Sequence, residues 1–326
     1  MKESTRNIVI GFIDNKNIQK DNILEVLEKT KIIPTSSLWY NFIDQILLWF
    51  GALSLAFAVL FFIAYNWVEF GHFAKFALVE GLMFFSVMAY WYLGAEKLSA
   101  KVMLMVSSIL LGVLLALVGQ TYQTGADPWQ LFFYWAVLML PWAFVGRFGA
   151  MWIFWIALIN ISILLYMNTF GRLFGFYLYS ESSLVWIFFA FNSLSLFVWE
   201  SLTGYFKWLN NSWAIRLLGF VSMVSITWLV QIFIWEKETP LALLAWIGWL
   251  LVVYAVYRVK SIDLFMLSLA SLSFSIGVVT FFINLISWRN FELLSILFIG
   301  MVIIGLGAGC ASWLKSVQKE AHNESE

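Results

Sequence analysis

One cysteine is present in 326 residues, Cys310, and it stands inside an apolar run, so no intrachain disulfide can form. The two histidines, His72 and His322, lie in distant segments and make no Cys/His set with metal-ligand spacing. Charged side chains make up 12% of the chain and sum to zero at pH 7; a soluble domain carries about a quarter. That scarcity excludes a self-standing soluble fold. The neutral balance excludes the basic footprint of a nucleic-acid binder. No phosphate-cradling loop, paired-histidine metal helix or nucleophile elbow occurs. Ser312-Trp313-Leu314-Lys315 matches an S-x-x-K pattern without any companion motif and is read as coincidence. No metal and no cofactor is expected, and no residue pattern favours an enzyme. The segment Met1 to Arg6 lacks the apolar core of a cleavable signal peptide, so the first apolar run is expected to serve as the targeting signal.

What the chain has in abundance is apolar surface. It is 62% hydrophobic and 19% aromatic, with mean hydropathy +0.86. Spanning hydrocarbon takes about 20 residues as helix, and unbroken apolar runs rather than ~10-residue alternating strands exclude a barrel. Ten spans are expected, at 45–65, 73–93, 101–119, 129–145, 149–167, 183–201, 214–235, 241–257, 263–286 and 292–314. Before them, Asn17 to Thr30 reads as a short amphipathic helix that Pro34 stops, within a polar segment of residues 1–40. Residues 41–314 form the membrane domain, and 315–326 a polar tail.

The cations test this count. With ten spans, the side shared by both termini holds fifteen Lys and Arg, and the other holds only Lys75, Arg172, Lys237 and Arg289. The positive-inside rule then places both termini in the cytoplasm of a bacterial inner-membrane protein. Small residues recur every four positions at Ser108, Gly112 and Ala116, and again at Gly305 and Gly309. Such spacing lets helix backbones approach, either within the chain or, at Gly305 and Gly309, in a homodimer. Single amides at Asn160, Asn192, Gln231 and Asn284 suit hydrogen bonds between helices. Pro141 lies inside the fourth span and predicts a kink there.

Two places could carry chemistry. The first is the outer side. Asn66, Trp67, Glu69 and His72 fall in the first outside turn, and Gln120, Tyr122, Gln123, Asp127 and Trp129 in the second. Together they could line one polar, aromatic pocket for a sugar, a lipid head group or a peptide; the alternative is an interfacial aromatic belt. Asp127-Pro128 also reads as a helix start, with Asp as N-cap and Pro at the first helical position. The second place is Glu80, about seven residues into a span. A carboxylate at the middle of a membrane helix costs on the order of 2.5–3.5 kcal/mol. Protonation, a partner such as Gln120, or a wet cavity must offset that cost.

Trp49-Phe50-Gly51-Ala52-Leu53, the run Leu60-Phe61-Phe62-Ile63-Ala64-Tyr65-Asn66-Trp67, and Ala74-Lys75-Phe76-Ala77-Leu78 occur in this order. With the stretch Gly119 to Trp129 they resemble the bacterial membrane family called domain of unknown function 2157, over roughly residues 10–150. The resemblance implies a neighbourhood rather than a reaction. Such proteins are often encoded beside, or fused to, a second membrane protein and a small secreted-side protein with a GDYXXLXY motif. The expected function is a non-catalytic component of an envelope complex, binding a partner protein or lipid at its outer face. The rival is a transporter or lipid flippase with Glu80 as coupling carboxylate.

The topology is directly testable. In a Cys310→Ser background, an impermeant thiol reagent should label Gln123→Cys from outside the cell, and Ser99→Cys only after permeabilisation. Labelling of both from one side would break the ten-span arrangement.

Overall fold

The computed structural model describes residues 22–30, 36–65, 71–170, 172–173, 176–177, 181–237, 240–286 and 293–323. The chain divides into two compact units, one of Thr35–Tyr179 with Leu202–Ala214, the other of Met1–Pro34, Ser180–Ser201 and Ile215–Glu326. Every expected span coincides with a helix. Among the described residues nine helices are long and apolar enough to cross a membrane. The expected span 45–65 lies in a further apolar helix, Ser36–Tyr65. This is a multipass α-helical membrane protein.

The first unit holds α2 (Ser36–Tyr65), α3 (His72–Leu93), α4 (Leu98–Tyr122), α5 (Pro128–Gly146) and α6 (Gly149–Phe170). Helix α1 (Ile23–Lys29) belongs to the other unit and is the described part of the expected amphipathic helix; residues 17–21 and Pro34 lie outside the described residues. An ion pair on this helix, Lys29 with Glu25 at 2.7 Å, is solvent-exposed and contributes little.

Helix α4 is the centre of the first unit, with ten buried residues from Ala100 to Leu117. Leu104 and Leu111 pack with Tyr90, Met139, Met151 and Leu158. Leu110, Val113 and Leu117 pack with Val79 of α3. The glycine in the first small-residue stripe has a specific neighbour. A Cβ on Gly112 would lie 2.4 Å from the Trp135 ring, so the indole of α5 rests on bare backbone. The same indole donates from Nε1 to the carbonyl of Ser108 at 2.7 Å, one helical turn earlier. This stripe is therefore an intramolecular packing seam. The tight turn expected at Gly146-Arg147-Phe148 is present, with Arg147 in the left-handed region at φ 43°. Pro141 sits within the helical span Pro128–Gly146.

A short antiparallel pair, β1 (Arg172–Leu173) and β2 (Phe176–Tyr177), follows α6; the apolar periodicity had not announced it. The second unit contains α7 (Glu181–Thr203), α8 (Ser212–Glu236), α9 (Pro240–Tyr254), α10 (Leu264–Leu285) and α11 (Leu293–Asn323). Helix α9 continues into a π-helical segment, Ala255–Lys260. Helix α11 runs through Lys315, so most of the expected polar tail is helical. Helix α8 is the most enclosed helix of this unit, with Leu218, Met223, Ile226, Leu229 and Val230 buried.

The second unit repeats the device of the first. Trp246 of α9 donates from Nε1 to Ser273 Oγ at 2.9 Å, and a Cβ on Gly277, one turn further, would meet its ring at 2.8 Å. Thr227 of α8 completes the node at 2.6 Å from the same Ser273 hydroxyl. Three helices thus share one buried polar cluster. Asn160 and Asn192 donate to carbonyls of their own helices, Ile156 at 3.0 Å and Phe188 at 2.8 Å. Gln231 Nε2 is buried without a hydrogen-bond acceptor among the described residues, and Asn284 is exposed.

The glycine contacts set a stability test. Gly112→Ala and Gly277→Ala should each destabilise the protein by about 1–3 kcal/mol through overpacking. Gly248→Ala, whose Cβ would meet nothing within 4 Å, should not. Chemical unfolding in mixed micelles reads the difference.

Candidate site at the turn between α4 and α5

Helix α4 ends because Gln123 leaves the helix in the left-handed region, at φ 45° and ψ 49°. Its backbone N–H still reaches the carbonyl of Gly119. Gly125 follows at φ 63°, a conformation glycine adopts without the Cβ clash. The consequence is a turn whose polar side chains point out: Gln120, Tyr122 and Gln123 are exposed. Helix α5 then starts with Asp127 at its N-cap and Pro128 at the first helical position, as the sequence predicts. One part of that expectation fails. The Asp127 side chain makes no capping hydrogen bond; only its carbonyl accepts, from Gln130 N at 3.0 Å. The carboxylate is left available to something outside the helix.

Aromatic contacts divide the turn. Tyr122 leans toward α3, with its ring 6.2 Å from Phe76. Trp129 turns toward α6 and meets Tyr166 edge-on at 4.9 Å and Phe170 at 6.2 Å. Ser162 of α6 donates to the Trp129 carbonyl at 3.2 Å. Yet the Trp129 indole N–H and the Thr121 hydroxyl are buried with no hydrogen-bond partner among the described residues. An unmet indole donor inside an aromatic group is costly, of order 1–3 kcal/mol.

His72 opens α3 and is exposed. Asn66, Trp67 and Glu69, expected to share a pocket with the second turn, lie outside the described residues. Glu80 is the ninth residue of α3, roughly 12 Å along it. It is exposed. Gln120, one of the partners the sequence offered, makes no bond to it, and among the described residues no hydrogen bond or ion pair reaches Glu80. Gly305 and Gly309 on α11 are also uncovered, with nothing within 4 Å of a Cβ at either position.

Two features escaped the sequence reading. Lys75, placed by the sequence within the span 73–93 and on its outer side, lies in the first turn of α3 and is only 3% exposed. Its spacing from Val79, Ser86 and Tyr90, all buried, could have marked it as part of the packed face. The other is a polar network at the far end of the second unit. The Tyr257 hydroxyl donates to Glu200, Arg258 pairs with Glu320, and Arg216 Nε donates to Asp263 Oδ2 at 3.1 Å. Asp263 also caps α10, accepting from Phe265 N at 2.9 Å and Met266 N at 3.3 Å. Tyr257 and Arg258 both lie on the π-helical segment, whose wider turn no periodicity could predict.

Residues 11–152 match the family described as Predicted membrane protein (DUF2157). That is the segment over which the resemblance was drawn from sequence. No curated protein matches the chain, and no solved structure does.

The two N-cap aspartates should separate experimentally. Asp263→Ala removes two capping bonds and an arginine partner, and should cost about 0.5–2 kcal/mol or slightly more. Asp127→Ala removes no internal bond, and should leave stability in mixed micelles unchanged within about 0.5 kcal/mol.

Proposed function

We propose that the protein is a non-catalytic membrane component of a bacterial envelope complex, and that it binds a partner protein at its outer face through the turn between α4 and α5. The observation that carries this reading is the Asp127 carboxylate. It occupies an N-cap position yet caps nothing, beside exposed Gln123 and Tyr122 and an aromatic group whose indole donor is unmet. Buried polar groups are ordinarily paired, and the Trp129 indole donor beside this turn is not. A surface of this kind, part aromatic and part hydrogen-bonding, matches the composition of recognition sites. Both termini would lie in the cytoplasm of a bacterial inner membrane, on the strength of the charge asymmetry. The rival transport reading draws on Glu80. Its carboxyl stands on the uncovered face of α3, which supports a contact role rather than a coupling step inside an enclosed path.

Native mass spectrometry of the chain taken from its own membrane in mild detergent should show a second protein in fixed stoichiometry. Asp127→Ala should release it, lowering recovery of the complex about tenfold, as loss of a buried charge-assisted bond does. Trp129→Ala should do the same. Full recovery of the partner with both variants would remove this turn as the binding surface. A chain carrying only lipid would favour the transport reading instead.

A further inference from the structure

Helices α9, α10 and α11 of the second unit leave two adjacent grooves. The first, of about 510 Å³, is lined by Leu250 and Tyr254 of α9, Leu267 and Phe274 of α10, and Gly309 and Trp313 of α11. The second, of about 540 Å³, lies between α10 and α11 and extends from Ile303 to Leu314. Ser271 and Cys310 line both, so the two lie side by side. Both volumes fall in the range of ligand pockets, about 300–1,000 Å³. Glycine makes the room: a Cβ on Gly307 or Gly309 would meet nothing within 4 Å. The walls are helices apolar enough to cross a membrane, so the grooves suit hydrocarbon chains.

The charges at one end of the grooves say what kind of molecule carries those chains. Trp313 stacks on Tyr254 at that end, with ring centroids 6.3 Å apart. Trp and Tyr concentrate at the level of lipid head groups. Just beyond this pair stand four cations: Arg258 and Lys260 follow Tyr254, and Lys315 and Lys319 follow Trp313. Carboxylates offset only part of their charge. Glu320 pairs with Arg258, and Asp263 is engaged by Arg216 and by the start of α10. Lys260, Lys315 and Lys319 are exposed and form no ion pair among the described residues. Two apolar grooves ending at unpaired cations are complementary to a molecule with two apolar tails and an anionic head. We propose that this is a binding site for one anionic diacyl phospholipid, with its tails in the two grooves and its phosphate on Lys260, Lys315 and Lys319. The charge asymmetry of the chain assigns that lipid to the cytoplasmic leaflet, whose anionic lipids attract basic segments beside membrane helices. The site shares no residue with the outer-face turn, so either reading can fail while the other holds.

The test uses the full chain in phosphatidylcholine vesicles with a trace of lipid that carries a photoreactive acyl chain. The probe is either a phosphatidylglycerol or a phosphatidylcholine, and mass spectrometry locates the labelled residues. The phosphatidylglycerol probe should label residues 250–254 and 309–313 about tenfold more than the phosphatidylcholine probe. Lys260→Gln, Lys315→Gln and Lys319→Gln together should bring the two probes level, while labelling by phosphatidylcholine persists. Lys97→Gln with Lys101→Gln, cations of the first unit expected on the same side, should leave the preference unchanged. The proposal is overturned by equal labelling with both head groups, which is bulk lipid only, or by a preference confined to residues outside the two grooves. It is also overturned by a preference that survives the three lysine replacements, or by one that Lys97→Gln with Lys101→Gln abolishes equally.

Discussion

A polar group inside hydrocarbon has no water to fall back on, and the arrangement of this protein follows from that constraint. Backbone amides are satisfied by making nearly everything helical. Several side-chain donors are then satisfied where helices touch. Trp135 finds the carbonyl of Ser108, Trp155 finds that of Ala136 at 3.0 Å, and Trp246 finds the hydroxyl of Ser273. Because lipid tails are as apolar as leucine side chains, burial alone gives two helices little reason to associate. Close packing and these short bonds supply the reason.

The same device appears in each unit. A serine and a glycine stand four apart on one helix, and a tryptophan of a neighbouring helix lies on the glycine while its indole N–H bonds the serine. In both units donor and acceptor are 27 residues apart in sequence. The order along the chain is reversed: Ser108 and Gly112 precede Trp135, whereas Trp246 precedes Ser273 and Gly277. The glycine gives the ring access to the helix surface, and the ring fills the space that a missing side chain leaves. Neither residue type is informative alone. A tryptophan in a membrane sequence reads first as an interfacial anchor, and here two of them act as internal wedges.

Some polar side chains that find no internal partner lie at the surface. Asp127 holds an N-cap position without capping, whereas Asp263 in the corresponding position of α10 accepts two backbone bonds and an arginine. The contrast lies in neighbourhood rather than in residue type. Asp263 faces Arg216 and the start of its own helix, and its side chain is fully used. Asp127 is preceded by a turn with two left-handed residues, and its side chain is not used internally. Glu80 shows the same distinction at depth.

The sequence by itself determined the class and the partition of this protein. Apolar runs of about 20 residues admit no soluble alternative, and each expected span lies on a helix, although the helices Ser36–Tyr65 and Leu293–Asn323 run well beyond their expected spans. Even the start of α5 at Asp127-Pro128 and the turn at Arg147 were legible, because proline and short loops act locally. The tertiary structure decided which face of each helix is covered. That assigned Lys75 to the packed face and Glu80 to the open one, five residues apart on a single helix. It also decided which hydroxyls tie helices together, bringing Ser273 and Thr227 within 2.6 Å of each other. The physical reason is that a helix with apolar residues all round carries almost no directional signal in its pattern. Which side meets protein depends on contacts with distant segments, and only the folded chain brings those segments together.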